Sequence, residues 1–154
     1  MKHFLSALFA LTLFISGSDK DLNAPPKDYS AENEKEITDY LTKNKLTAQR
    51  SDSGLYYIIN EQGTGKQPTS SSTVTVAYKG YFTNGNVFDQ SSEAGISFPL
   101  SKVIPGWTEG ITYFKEGGSG VLLIPSRLAY GSYNRPGIPA GSVLLFDVKL
   151  VSTN

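Results

Sequence analysis

The run TVTVAYKGYFTNGNVFDQ, Thr73 to Gln90, sets the architecture. Its first half alternates, putting Val74, Val76 and Tyr78 on one side and Thr75, Ala77 and Lys79 on the other, the two-residue period of a half-buried strand. Asn84-Gly85 follows, a pair suited to the positive φ of a hairpin turn. A strand that enters a hairpin belongs to an antiparallel sheet. The continuation NVFDQSSEAG, residues 86–95, reads as a loop that leaves the sheet.

The same strand vocabulary recurs on both sides. GLYYIIN (54–60), ISFPL (96–100), GVLLIPS (120–126) and VLLFDVKLV (143–151) read as strands, the last with Leu144, Phe146, Val148 and Leu150 on one face. EQGTGKQPTSSS (61–72) and RLAYGSYNRPGIPAGS (127–142) have the Gly, Pro and Ser content of loops. In SKVIPGWTEGITYFKEGG (101–118) the spacing changes: Trp107, Ile111 and Phe114 recur at helical intervals, Pro105 suits a helix entrance, and Gly117-Gly118 suit its end. A second helix is predicted from Ser30 to about Lys45. Ser30 is placed to cap it, with Glu32, Glu34 and Glu36 near its positive end. Ile37, Tyr40 and Leu41 form a narrow apolar stripe, and Asp39 and Lys43 are spaced as an ion pair. Such a helix is marginal alone, so it docks on the domain or guides a partner. The expected fold is α+β, an antiparallel sheet with one short helix packed on it and an N-terminal helical extension.

The first residues, MKHFLSALFALTLFISGSDKD, combine Lys2, an apolar run from Phe4 to Ile15, and small residues. That is the form of a secretory signal peptide over 1–18, and the run is too short for the ~20 residues of a spanning helix. Ile15-Ser16-Gly17 before Ser18 also resembles a bacterial lipoprotein box with Ser in place of the acylated Cys. With Ser18 there, this chain cannot take a thioether lipid; a membrane tether would belong to a natively lipidated form. The expected location is extracytoplasmic, periplasmic or outer-membrane-associated. Residues 19–29, with Pro25-Pro26, read as a flexible tether, 30–48 as the helical extension and 49–154 as the main domain.

Composition excludes much chemistry. The 14 basic and 14 acidic residues balance, which argues against a nucleic-acid partner. There is no Cys, and the one His, His3, lies in the leader. Thiol, Ser-His-Asp and His-ligated zinc chemistry are therefore ruled out for the mature domain. Gly63-Thr64-Gly65-Lys66 lacks the outer Gly and the Ser or Thr of a phosphate loop, and Gly117-Gly118-Ser119-Gly120 has Val121 where a nucleophile elbow needs Gly. What stands out is aromatic residues beside turns: Phe88 after the hairpin, the single Trp107 after Pro105-Gly106, and Tyr130 at the head of the long loop. Together with Tyr78, Phe98 and Phe146 they suit either a core or one concave apolar pocket with a few polar handles.

Three segments, VAYKGYFTNGNVFDQS, VIPGWTEGI and LAYG…RPGIPAGSVLLFDVKL, closely resemble FKBP-type peptidyl-prolyl isomerases, in that family's order and spacing from about Gly54 to Ser152. The VIPGW form and the helical extension look like its bacterial secreted branch. The resemblance implies a twisted antiparallel half-barrel of five to six strands around the short helix, with the pocket between them. It makes Trp107 the floor under a substrate proline, Tyr78, Phe88, Phe98 and Phe146 the walls, and Val103 and Ile104 the rim. The Ile104 backbone N–H and the Tyr130 hydroxyl would serve substrate carbonyls, Asp89 would be a polar handle, and Ile138 would cap the pocket. The implied activity is X-Pro isomerisation during folding of exported proteins, without metal or cofactor. The implied partners are proline-containing unfolded or partly folded polypeptides, with macrolides as candidate ligands. A holdase chaperone or a peptide-binding module with little turnover is the alternative, motivated by the loop SYNRP, which puts Arg135 near its tip. The extension is too short for the long-helix dimers of some relatives, so a monomer is expected.

Overall fold

The computed structural model describes residues 24–154. The leader, the Ser18 box and the first part of the tether lie outside the described residues. Helix α1 (Ser30–Lys43) is followed by β1 (Gln49–Arg50), β2 (Tyr56–Glu61), β3 (Thr73–Tyr81), β4 (Val87–Gln90), β5 (Ile96–Pro99), α2 (Pro105–Gly110), β6 (Ser119–Ile124) and β7 (Leu144–Thr153). None of the described helices is long and apolar enough to cross a membrane.

The seven strands form one antiparallel sheet in the order β1-β2-β6-β7-β3-β4, with β5 also on β3. Strands β4 and β5 share one edge of β3: β4 pairs with Lys79–Tyr81 and β5 with Thr73–Val76. The sheet is thus six lanes wide with seven strands in it. The extra strand corrects the reading of residues 86–95 as a loop. Val87–Gln90 returns along β3 after a turn in which Gly85 N–H donates to the Phe82 carbonyl at 2.8 Å and Phe82 N–H to the Asn86 carbonyl at 3.0 Å. Four residues are too few to display a period.

Each face of the sheet is covered by a helix. On one, Val74, Val76, Tyr78, Leu122, Ile124, Phe146, Val148 and Leu150 enclose Trp107, Ile111 and Phe114. Helix α2 lies close on β6, because a Cβ at Gly106 would meet Ile124 at 2.5 Å and one at Gly110 would meet Leu122 at 2.7 Å. The helix is shorter than its spacing predicts. A 3₁₀ turn carries it to Tyr113, and Phe114 is already extended, before Gly117 is reached. Side chains satisfy the carbonyls of that last turn: Gln67 donates to Thr112 O at 2.8 Å and Gln62 to Tyr113 O at 2.9 Å.

On the opposite face α1 packs Ile37 and Leu41 onto Tyr56, Leu123, Val143 and Leu145. Burying Ile37 completely contributes roughly 1.5–3 kcal/mol, enough to hold a helix that is marginal by itself. Two local expectations for α1 need correction. Ser30 is inside the helix and does not cap it; its N–H and hydroxyl donate to the Asp28 carboxylate at 2.8 and 2.6 Å, so a full negative charge sits at the positive end. Asp39 pairs with Lys35, one turn earlier, and not with Lys43. Beyond Lys43 the chain turns through Lys45 at φ 54°, with Leu46 N–H donating back to Leu41 O at 2.9 Å, a Schellman-type stop.

Candidate active site

Trp107 stands in the first turn of α2 and is fully buried. That turn is fixed at its entrance: the Ile104 carbonyl accepts from Trp107 N–H at 2.9 Å and Thr108 N–H at 3.1 Å, and the Thr108 hydroxyl donates to Leu100 O at 2.6 Å. Three rings from three strands meet the indole. Tyr78 of β3 and Phe146 of β7 each lie 5.1 Å away at 89°, and Phe98 of β5 lies 5.4 Å away at 58°. Phe88 of β4 joins through Phe146, at 5.5 Å and 87°. Edge-to-face contacts of this kind suit the ring quadrupoles and fix ring orientation.

Two members of this cluster were not read from the sequence. Phe82 packs on Phe88 at 4.9 Å. Gly80, on β3, lies directly beneath two of the rings: a Cβ there would stand 2.7 Å from Phe88 and 2.8 Å from Phe146. The available signal was a glycine at a buried-face position of a strand, which marks close approach of another group.

Polar groups border the rings. Asp89, though on β4, is buried, and its carboxylate accepts the Tyr78 hydroxyl at 2.8 Å. Tyr130 is half-buried in the loop between β6 and β7. Burial pushes its hydroxyl pKa up; nearby Arg135 opposes the rise and Asp89 adds to it. The Arg135 guanidinium lies 5.0 Å over the Tyr130 ring, a cation–π arrangement. Arg135 and Ile138 exchange backbone hydrogen bonds of 2.8 and 2.9 Å, which turns the loop tip and buries Ile138. Val103 and Ile104, just before α2, pack on the same cluster. Tyr78, Phe88, Phe98, Val103, Ile104, Trp107, Tyr130, Ile138 and Phe146 therefore belong to one apolar assembly, and Asp89 joins it through Tyr78.

The Gly63–Lys66 loop has a structural job instead. Thr64 and Gly65 N–H both donate to the Glu116 carbonyl, at 3.2 and 3.1 Å, so these amides are engaged by the protein itself.

Residues 64–151 match the family model for FKBP-type peptidyl-prolyl cis-trans isomerases. The chain belongs to this family. The FKBP match begins after α1, so the extension is outside it. The chain is similar to the FKBP-type peptidyl-prolyl cis-trans isomerase FkpA of Escherichia coli K12, with 46% identity over 126 residues, covering 79% of this chain and 47% of the relative. It is likewise 41% identical over 127 residues to FkpA of Aeromonas hydrophila, covering 80% of this chain and 47% of that one. The chain thus spans about half the length of the curated FKBP relatives it matches. Among solved structures it resembles Escherichia coli FkpA, with a TM-score of 0.72 at 43% identity over 81% of this chain and 61% of that one. A peptidyl-prolyl isomerase from Pseudomonas syringae gives a TM-score of 0.70 at 28% identity over 90% of this chain and 99% of that one.

Proposed function

We propose that this chain is an exported prolyl isomerase that speeds cis–trans exchange of X-Pro bonds in folding polypeptides. The observation that carries the reading is the fully buried Trp107 at the base of α2, gripped by Tyr78, Phe98 and Phe146. An amide resists rotation by ~18–20 kcal/mol because resonance flattens it. The twisted state has lost that resonance and is less polar, so an apolar aromatic enclosure favours it over the planar amide. In this reading Trp107 is the floor under the proline ring; it is fully covered here, so the ring reaches it only as the covering side chains move aside. Phe88, Phe98 and Phe146 flank it, and Val103 and Ile104 form the rim. The Ile104 N–H and Tyr130 hydroxyl hold carbonyls on one side of the bond while the other turns. Asp89 fixes Tyr78 within the wall, and Ile138 closes the site from the loop. No covalent step is required, which agrees with the absence of Cys and of any His beyond the leader.

The proposed partners are proline-containing polypeptides outside the cytoplasm, reached through the 1–18 leader, and macrolides that occupy the same apolar enclosure. The chain acts as a monomer, and any membrane tether belongs to a form with Cys at position 18. A holdase action is the second reading. It is favoured by Tyr133, 68% exposed at the tip of the long loop, where it can touch a client outside the ring cluster. A refolding reaction limited by proline isomerisation separates the two. Rate gain that a macrolide abolishes supports catalysis; suppression of aggregation alone supports the holdase.

A further inference from the structure

The loop between β6 and β7 carries Tyr130, Arg135 and Ile138, and a single side chain fastens both of its ends. Asn33 of α1 is 2% exposed. Its Oδ1 accepts from Ser126 N–H at 2.8 Å and from the Ser126 hydroxyl at 2.6 Å, while its Nδ2 donates to the Gly141 carbonyl at 2.9 Å. The loop's own wiring starts from those two residues. Gly131 N–H donates to Ser126 O at 2.7 Å, and Gly141 N–H donates to Gly131 O at 2.9 Å. Tyr130 lies inside the first of these closures, and the Arg135–Ile138 tip lies inside the second. The chain ahead of α1 adds two contacts. The Ser132 hydroxyl donates to the Lys27 carbonyl, and the Tyr29 ring lies so near Gly141 that a Cβ there would stand 2.3 Å from it.

We propose that Asn33 is a positioning residue for the isomerase site, and that α1 acts through it as a strap that sets where Tyr130, Arg135 and Ile138 sit against the aromatic rings. The proposal rests on the isomerase reading for its consequence but not for its geometry. Asparagine suits the place because one short amide offers an acceptor to the loop's start and a donor to its end. Ile37 and Leu41 already anchor α1 on the sheet, so adhesion of the helix does not by itself call for a buried amide at 33.

The test compares wild type with Asn33→Ala and Asn33→Asp, well below their melting temperatures. The aspartate keeps the acceptor for Ser126 and loses the donor to Gly141. Asn33→Ala is expected to lower kcat/KM on an X-Pro peptide by about tenfold and to speed amide exchange at Gly131, Ile138 and Gly141 by a similar factor, with Asn33→Asp at least as severe because it sets a buried carboxylate oxygen against the Gly141 carbonyl. Exchange at Val76 and Tyr78 on β3 speeds only by the factor set by any loss of global stability. A lower melting temperature with kcat/KM and loop exchange both within about twofold of wild type overturns the proposal. Should wild type itself lack isomerase activity, the isomerase reading fails, and the exchange measurement still decides the strap. Should Asn33→Ala not fold, native-state exchange of wild type in mild denaturant replaces it. The Ser126 and Gly141 amides are then expected to open together with Ile37 and Leu41 of α1; a loop that stays protected after α1 opens overturns the strap.

Discussion

Tyr78 donates its hydroxyl to the Asp89 carboxylate at 2.8 Å while the edge-to-face ring contact with Trp107 stays intact at 5.1 Å. One residue thus ties the buried carboxylate of β4 to the aromatic floor. Tyr78→Phe keeps the ring and removes the donor to a buried charge. The expected cost is roughly 1–3 kcal/mol by urea unfolding, with a parallel fall in kcat/KM as Asp89 reorients. Unchanged stability would show that Asp89 finds its support elsewhere.

Trp107 allows a sharper comparison. Its indole N–H is buried and meets no acceptor among the described residues. Trp107→Leu loses three ring contacts and leaves a void, which is expected to cost roughly 2–4 kcal/mol and most of the activity. Trp107→Phe loses less volume and also removes the unpaired donor, so its cost should stay below about 1.5 kcal/mol. Thermal melts by circular dichroism read both, since neither variant retains a tryptophan.

Gly80→Ala places a methyl where Phe88 and Phe146 now approach to 2.7 and 2.8 Å of that position. The rings must move, at a cost of about 1–2 kcal/mol. Because both rings are proposed walls of the site, kcat/KM should fall by about tenfold, more than stability alone explains. Full activity in this variant would exclude Phe88 and Phe146 as walls of the site.

Glu109 makes stability depend on pH. Burial alone would raise its carboxyl pKa, but hydrogen bonds from the Ser53 and Tyr113 hydroxyls, with the Ser51 hydroxyl held against Ser53 and the Arg127 charge nearby, outweigh that and hold it below the usual value. The same contact, added to burial, pushes the Tyr113 hydroxyl up to about 12. A lowered folded-state pKa contributes stability that is fully present above the unfolded value and is lost as pH falls through the folded one. The denaturation midpoint should therefore drop more steeply as pH falls below about 4.5 in wild type than in Glu109→Gln. Identical slopes would contradict this.

The parts legible in the sequence were those with a period or a rigid marker. The two-residue alternation of Val74, Val76 and Tyr78, and of Leu144 through Leu150, assigned the inner face, and Pro105 located the start of the Trp107 helix. The aromatic residues were visible beside turns, but only the resemblance to a family joined them into one site. Strand β4 was too short to show a period. The carbonyls after α2 are satisfied by Gln62 and Gln67, whose reach across 51 and 45 residues leaves no local trace. Asn33 shows the same limit, with partners 93 and 108 residues away. Its one trace was a polar residue four positions before Ile37, on the buried stripe of α1.

The most direct measurement follows a refolding protein whose slow phase is limited by X-Pro isomerisation, with catalytic amounts of this chain. The rate should rise in proportion to enzyme. A macrolide should suppress the gain, and Trp107→Leu should abolish most of it while remaining folded. An unchanged slow phase with correctly folded wild-type protein, or full activity in folded Trp107→Leu, would contradict the isomerase reading.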